Sequence, residues 1–228
     1  MSAIYDFFVG SKIYGLPHIL LLVYWAIKTA LIIWLTLAFA KSDKAKEKVI
    51  KIFAIIILVE TIASRFIYAG SEISLLRFIP GTFCSTMGFV LPLFVLFSKK
   101  DSKGLFFALF SGFMGGMITI FSGDNVGQAA VQNTFISFAY HGNMAALALL
   151  CYALRYSTFT IDKIPALYVG LCIMVVWGKF TNDAFGFANN MFLNAPLIPG
   201  TFITWWFTGI CIVLIATIVS LIYQRLTQ

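Results

Sequence analysis

Charge is what this sequence has least of. Only 11% of its 228 residues are charged and 61% are hydrophobic, with a mean hydropathy of +0.94. A water-soluble domain carries about one quarter charged residues, because its surface must be solvated. That scarcity excludes a soluble domain, and the apolar runs leave no room for a second one. Cysteine is sparse as well. Cys84, Cys151, Cys172 and Cys211 all fall inside apolar runs, so neither a disulfide framework nor a zinc-spaced Cys/His cluster is expected. Neither a metal nor a cofactor is implied. No internal repeat is visible, which fits poorly with the inverted repeats of many carriers. The last apolar run, residues 201–223, has no lysine, which excludes a retinal Schiff base there.

What is present is a series of apolar stretches long enough to cross a hydrocarbon core of ~30 Å, which takes ~20 helical residues. Seven are predicted: Pro17–Ala40, Val49–Gly70, Pro80–Ser98, Gly104–Ser122, Gln132–Arg155, Ile164–Thr181 and Thr201–Tyr223. The expected fold is an all-α polytopic membrane protein, a bundle of about seven transmembrane helices. Residues 1–16 form an interfacial lead-in and residues 17–228 a single transmembrane domain. A six-span count would require the short fourth or sixth run to be re-entrant. Ala38-Phe39-Ala40 resembles a signal-peptidase site, but the run before it is too long and lysines follow it, so the first helix is expected to be retained. Ala108, Gly112 and Gly116, four apart with Gly115 beside them, predict a close helix contact.

Orientation follows from the basic residues. Lys41, Lys44, Lys46, Lys48, Lys51, Lys99, Lys100, Lys103, Arg155, Lys163 and Arg225 share one side of the seven-span arrangement, eleven of the sixteen Lys and Arg. A cell-membrane protein with its N terminus outside and its C terminus in the cytoplasm is expected. The net charge of +7 then reads as a topology signal and contact with anionic lipid, not as a nucleic-acid surface.

Polar groups inside the membrane are costly and mark candidate sites. His18, Lys28, Glu60, Cys84, His141, Asn182 and Asn190 gather in the outer half of the predicted bundle. Each has a plainer reading. Cys84 can be a small filler, His18 an interfacial anchor, Lys28 and Glu60 a neutralising pair, and Arg65 a snorkelling end-of-helix cation. His141 is harder to dismiss, because the adjacent Gly142 suggests that something approaches closely. On ideal helices Cys84 and His141 differ in depth by about 7 Å.

Gly15-Leu16-Pro17-His18-Ile19-Leu20, Glu60, Pro80-Gly81-Thr82-Phe83-Cys84, His141-Gly142 and Asn190-Met191-Phe192-Leu193 followed by Pro196 occur in that order. In these motifs the sequence resembles the YwaF-type bacterial membrane proteins, grouped with the transmembrane protein 164 family. The resemblance implies acyl transfer on phospholipids, with Cys84 matching the family's thiol nucleophile and His141 its base. One departure stands out: Thr82 occupies the place of a histidine two residues before the cysteine.

The expected function is acyl transfer or hydrolysis on phospholipid acyl chains. Cys84 and His141 would be catalytic and Glu60 would orient or polarise. His18, Lys28, Thr82, Asn182 and Asn190 would line the pocket. The expected partners are membrane lipid and a lipid or acyl substrate. The alternative is a non-enzymatic carrier or ligand-binding subunit, whose polar residues coordinate ligand without chemistry.

Overall fold

A computed structural model describes residues 14–67, 75–122, 131–196 and 200–227. Most of the interfacial lead-in, residues 1–13, lies outside them, as does the far end of the second predicted run. Among the described residues the chain forms seven α-helices: α1 Leu16–Phe39, α2 Asp43–Ile67, α3 Phe83–Phe97, α4 Lys103–Ser122, α5 Val131–Ala153, α6 Ile164–Phe185 and α7 Trp205–Thr227. Each coincides with one apolar run. The fourth and sixth, short on the sequence reading, are continuous helices of 20 and 22 residues. Five helices, α1 and α4 to α7, are long and apolar enough to cross a membrane. The other two differ for local reasons. Helix α3 is apolar but only 15 residues long, and α2 carries Lys51, Glu60 and Arg65 within its apolar stretch.

Successive helices run in alternate directions. At one end, Lys100 approaches Asp43 at 3.9 Å, Lys103 approaches Asp162 at 3.5 Å, and Lys163 pairs with Asp101. Those contacts gather the α1–α2, α3–α4 and α5–α6 connections into one lysine-rich end. At the other end, the Trp177 indole donates to Pro80 O at 2.6 Å, and the ring of His18 packs edge-on to Phe138. Helix α4 is the hub, packed against α3, α5 and α6, while α1 docks on α5 and α7 on α6. Burial records the same layout: 61% of the apolar window of α4 and 78% of that of α5 are inside the bundle, against 22% for α1 and 17% for α7.

Small residues permit this packing. A methyl on Gly112 would lie 2.7 Å from Leu91 of α3. One on Gly116 would lie 2.5 Å from the backbone oxygen of His141. A side chain at Gly116 therefore meets main chain, which cannot swing aside, and α4 and α5 approach at backbone distance. The predicted small-residue ridge is a real contact, made with two helices.

Candidate functional site

Helix α3 begins where Thr82 caps it. The Thr82 hydroxyl accepts from Ser85 N at 3.2 Å, and its backbone is extended at φ −78°, ψ 160°. Thr and Ser favour this position because a side-chain oxygen satisfies an otherwise unpaired helix N–H. In this chain the residue standing in the histidine's place is a helix cap. It sets Cys84 in the first turn of α3.

The half-buried Cys84 thiol faces α4, with its sulfur 3.8 Å from Gly115 O and 3.5 Å from Thr119 Oγ1. Across the bundle, the Tyr140 hydroxyl donates to Cys84 O at 2.7 Å. A Cβ on Gly88 would collide with that hydroxyl at 1.9 Å, so the phenol passes α3 only over a glycine. The next residue, His141, has its backbone oxygen against Gly116, the neighbour of Gly115. Cys84 and His141 thus flank consecutive residues of α4. Tyr140 touches both, its hydroxyl on Cys84 O and its ring 4.8 Å from that of His141.

The two histidines are held differently. His18 is fully buried: Tyr14 N donates to its Nδ1 at 3.0 Å, and Nε2 lies 2.7 Å from Ile120 O. An N–H faces the first nitrogen and a carbonyl the second, so the proton is on Nε2; that nitrogen pins α1 to the end of α4, while Nδ1 holds the segment leading into α1. His141 has Nδ1 2.7 Å from Ser137 O, with Ser137 Oγ at 3.2 Å. A carbonyl only accepts, so this bond is satisfied by a proton on Nδ1, which makes Nε2 the accepting nitrogen of the neutral ring.

The predicted Lys28–Glu60 pair is close to what forms, with one residue between them. Lys28 Nζ donates to Asn143 Oδ1 at 2.6 Å, and Asn143 Nδ2 donates to Glu60 Oε1 and Oε2 at 2.8 and 2.9 Å. The amide can both accept from the ammonium and donate to the carboxylate, so it links two charges on different helices. Glu60 therefore bears on α5 two residues beyond His141, and Lys28 belongs to this link. The sequence reading missed Asn143, although a buried amide midway along a span is the same kind of signal that marked Glu60. The close approach expected at Gly142 is made by Trp25, a residue the sequence reading did not name: its indole donates to Gly142 O at 2.7 Å.

Asn182 and Asn190 hold the connection after α6. Asn190 N donates to Asn182 Oδ1 at 2.9 Å, and Asn190 Nδ2 donates to Thr181 Oγ1 at 2.9 Å. A cavity of about 370 Å³ opens beside them, lined by Ser64, Arg65, Ile79, Thr82, Ser85 and Asn190 together with Leu76, Gly81 and Phe187. Two of the expected pocket residues, Thr82 and Asn190, line it. His18, Lys28 and Asn182 are engaged elsewhere. Arg65, expected to snorkel outward, is half-buried and lines this cavity near the end of α2, with its guanidinium 6.0 Å from the Phe89 ring. All four cysteines are thiols, with Cys151 buried and Cys172 exposed. Among the described residues no cluster of three or more His, Cys, Asp or Glu could hold a metal ion.

These features define a polytopic helical membrane protein with a polar site near one end of its bundle. A sequence model of the TMEM164 family matches residues 13–223, and the chain belongs to that family. No curated protein and no solved structure matches the chain.

Proposed function

We propose that this protein is a membrane enzyme that transfers or hydrolyses a phospholipid acyl chain through Cys84 and His141. It would sit as a seven-span bundle with its lysine-rich end in the cytoplasm and its N terminus outside. The observation that carries the reading is the hydrogen bond of His141: with Nδ1 2.7 Å from Ser137 O, the basic nitrogen of the neutral ring is Nε2. In the first step the Cys84 sulfur attacks an ester carbonyl and gives its proton to the imidazole. The tetrahedral intermediate collapses to a thioester, and the departing lysolipid oxygen takes the proton back. A second lipid hydroxyl, or water, then attacks the thioester under the same base and restores the thiol. Glu60 acts through Asn143 as a positioning group for α5. No histidine stands at position 82, so proton transfer in this chain falls to His141.

The test uses purified protein in vesicles containing phospholipid with a labelled acyl chain, reading released or transferred label. Cys84→Ala and His141→Ala should each lower turnover by at least ~100-fold, the usual contribution of a positioned acid–base group or more, with thermal unfolding unchanged. Substitutions at Cys151, Cys172 and Cys211 should leave turnover intact. Full turnover in Cys84→Ala would overturn the catalytic reading.

A second reading, a ligand-binding subunit without chemistry, is favoured by one observation: the cavity lining includes neither Cys84 nor His141. It expects the parent protein to retain a bound lipid and release no label.

A further inference from the structure

We infer that the cavity between the end of α2, the start of α3 and the α6–α7 connection binds a phosphate oxyanion through Arg65, and that the phosphate is that of a phospholipid headgroup. The inference depends on neither reading of the Cys84 chemistry, since it concerns binding alone.

Arg65 has no carboxylate partner among the described residues, and its buried Nε has no hydrogen-bond acceptor. Leaving such a group unmet is costly, more so when it is charged. The surroundings explain how the side chain is held without explaining what it is for. The Phe89 ring flanks the guanidinium at 6.0 Å, a cation–π contact that supplies no hydrogen-bond acceptor for Nε. The neighbouring hydroxyls are occupied: Ser64 Oγ donates to Thr61 O at 2.8 Å and Ser85 Oγ to Thr82 O at 3.0 Å. The Asn190 amide donates to Thr181. Among the described lining residues Arg65 is therefore the charged group with donors to spare.

The cavity selects the ligand in three ways. Among the described residues that line it none is acidic, so an anion meets no repulsion from them. A guanidinium fork matches two oxygens of a phosphate or carboxylate. Leu76, Ile79 and Phe187 add an apolar wall beside the cation, which suits an amphiphile better than a bare ion. The volume of about 370 Å³ is that of a small-molecule site. Its place at the helix ends is where headgroups lie in a bilayer.

The experiment measures binding to delipidated full-length protein carrying Cys84→Ala, so that no turnover consumes the probe. Three probes are compared by titration: a dihexanoyl phosphatidylglycerol below its micellar concentration, dihexanoylglycerol without phosphate, and inorganic phosphate. The phospholipid should bind most tightly. Arg65→Met should weaken it by ~10–100-fold, the range of a lost hydrogen-bonded charge contact. Arg65→Lys, which keeps the charge and loses the fork, should fall between. Thermal unfolding of each variant without ligand reports whether it is folded, and Arg65→Lys carries the test if Arg65→Met is not. Equal binding of dihexanoylglycerol, or unchanged phospholipid binding by a folded Arg65 variant, overturns the inference. Inorganic phosphate binding as tightly as the phospholipid overturns the headgroup assignment and makes the ligand a soluble anion. Loss of label transfer in Cys84→Ala with phospholipid binding intact separates this site from the catalytic reading.

Discussion

Lys163 and Arg65 are cations set into opposite ends of the same bundle, and their surroundings differ in kind. Lys163 is 4% exposed and surrounded by oxygen: it pairs with Asp101, donates to Thr158 O at 2.9 Å and Thr158 Oγ1 at 2.8 Å, and lies over the Phe106 ring. Asp101 is steadied in turn by Thr158 N at 2.7 Å. Arg65 has a ring on one side and a cavity on the other, with no acid among the described residues. A charge that exists to join segments is given every partner it can take. One that is left short of partners beside an opening is disposed to meet something that arrives from outside. The lysine-rich end is thus built as a fastening and the Cys84 end as a receptor.

The largest expected effect comes from breaking the layer between the two ends. Asn143→Leu leaves Lys28 and Glu60 without their shared amide, and uncompensated charges of this kind cost about 3 kcal/mol or more. In detergent the variant should melt well below the parent. Lys28→Met with Glu60→Gln added to it should recover part of the loss, and no recovery would mean that the two charges have separate partners. Next comes Gly116→Leu, which drives a side chain at the His141 carbonyl. Overpacking of about 1–3 kcal/mol is expected, and a variant melting like the parent would mean that α4 and α5 do not approach as described.

The comparison itself is sharpened by treating the two cations alike. Asp101→Asn should cost about 1 kcal/mol, a charge-assisted hydrogen bond discounted because the Asp101 side chain is 43% exposed. Burial opposes the ionised form of Asp101, but the bonds from Lys163 and Thr158 outweigh it and hold the carboxyl below its usual range. Its stabilisation is therefore present above the unfolded-state value and is lost as pH falls through the lower folded-state one. The parent should lose thermal stability below about pH 4, and Asp101→Asn should flatten that slope. Arg65→Met should shift stability by no more than about 0.5 kcal/mol, since an apolar replacement of a poorly paired cation is close to neutral. A loss as large as that of Asp101→Asn would give Arg65 a structural role and erase the contrast.

Much of the helical layout was legible because an apolar run of membrane length has few alternatives, and seven such runs separated by lysines or loop residues are hard to misread. The same rule pointed to Glu60, Lys28 and His141. What it could not supply was the company each residue keeps. Lys28 and Glu60 were matched by depth, but only the packing of α1 and α2 on α5 places Asn143 between them. Snorkelling is the default reading for a cation near a helix end, and the cavity that Arg65 lines is completed by a connection more than a hundred residues away. Thr82 was read against a family pattern as a missing histidine. Its local reading, a Thr three residues before a Ser at the start of an apolar run, already described a cap.

The first helix is attached by three side chains on one stripe: His18 to Ile120 O, Trp25 to Gly142 O and Lys28 to Asn143. Their partners lie 102, 117 and 115 residues further along the chain. At a synthesis rate of ~5–20 residues per second, those partners are made roughly 5–25 s later. A freshly inserted first helix would spend that interval among lipids or beside the insertion machinery with an imidazole, an indole and an ammonium awaiting acceptors. Biogenesis of this protein therefore has a built-in delay. Its first segment enters the bilayer early and joins the bundle only after the fifth has arrived.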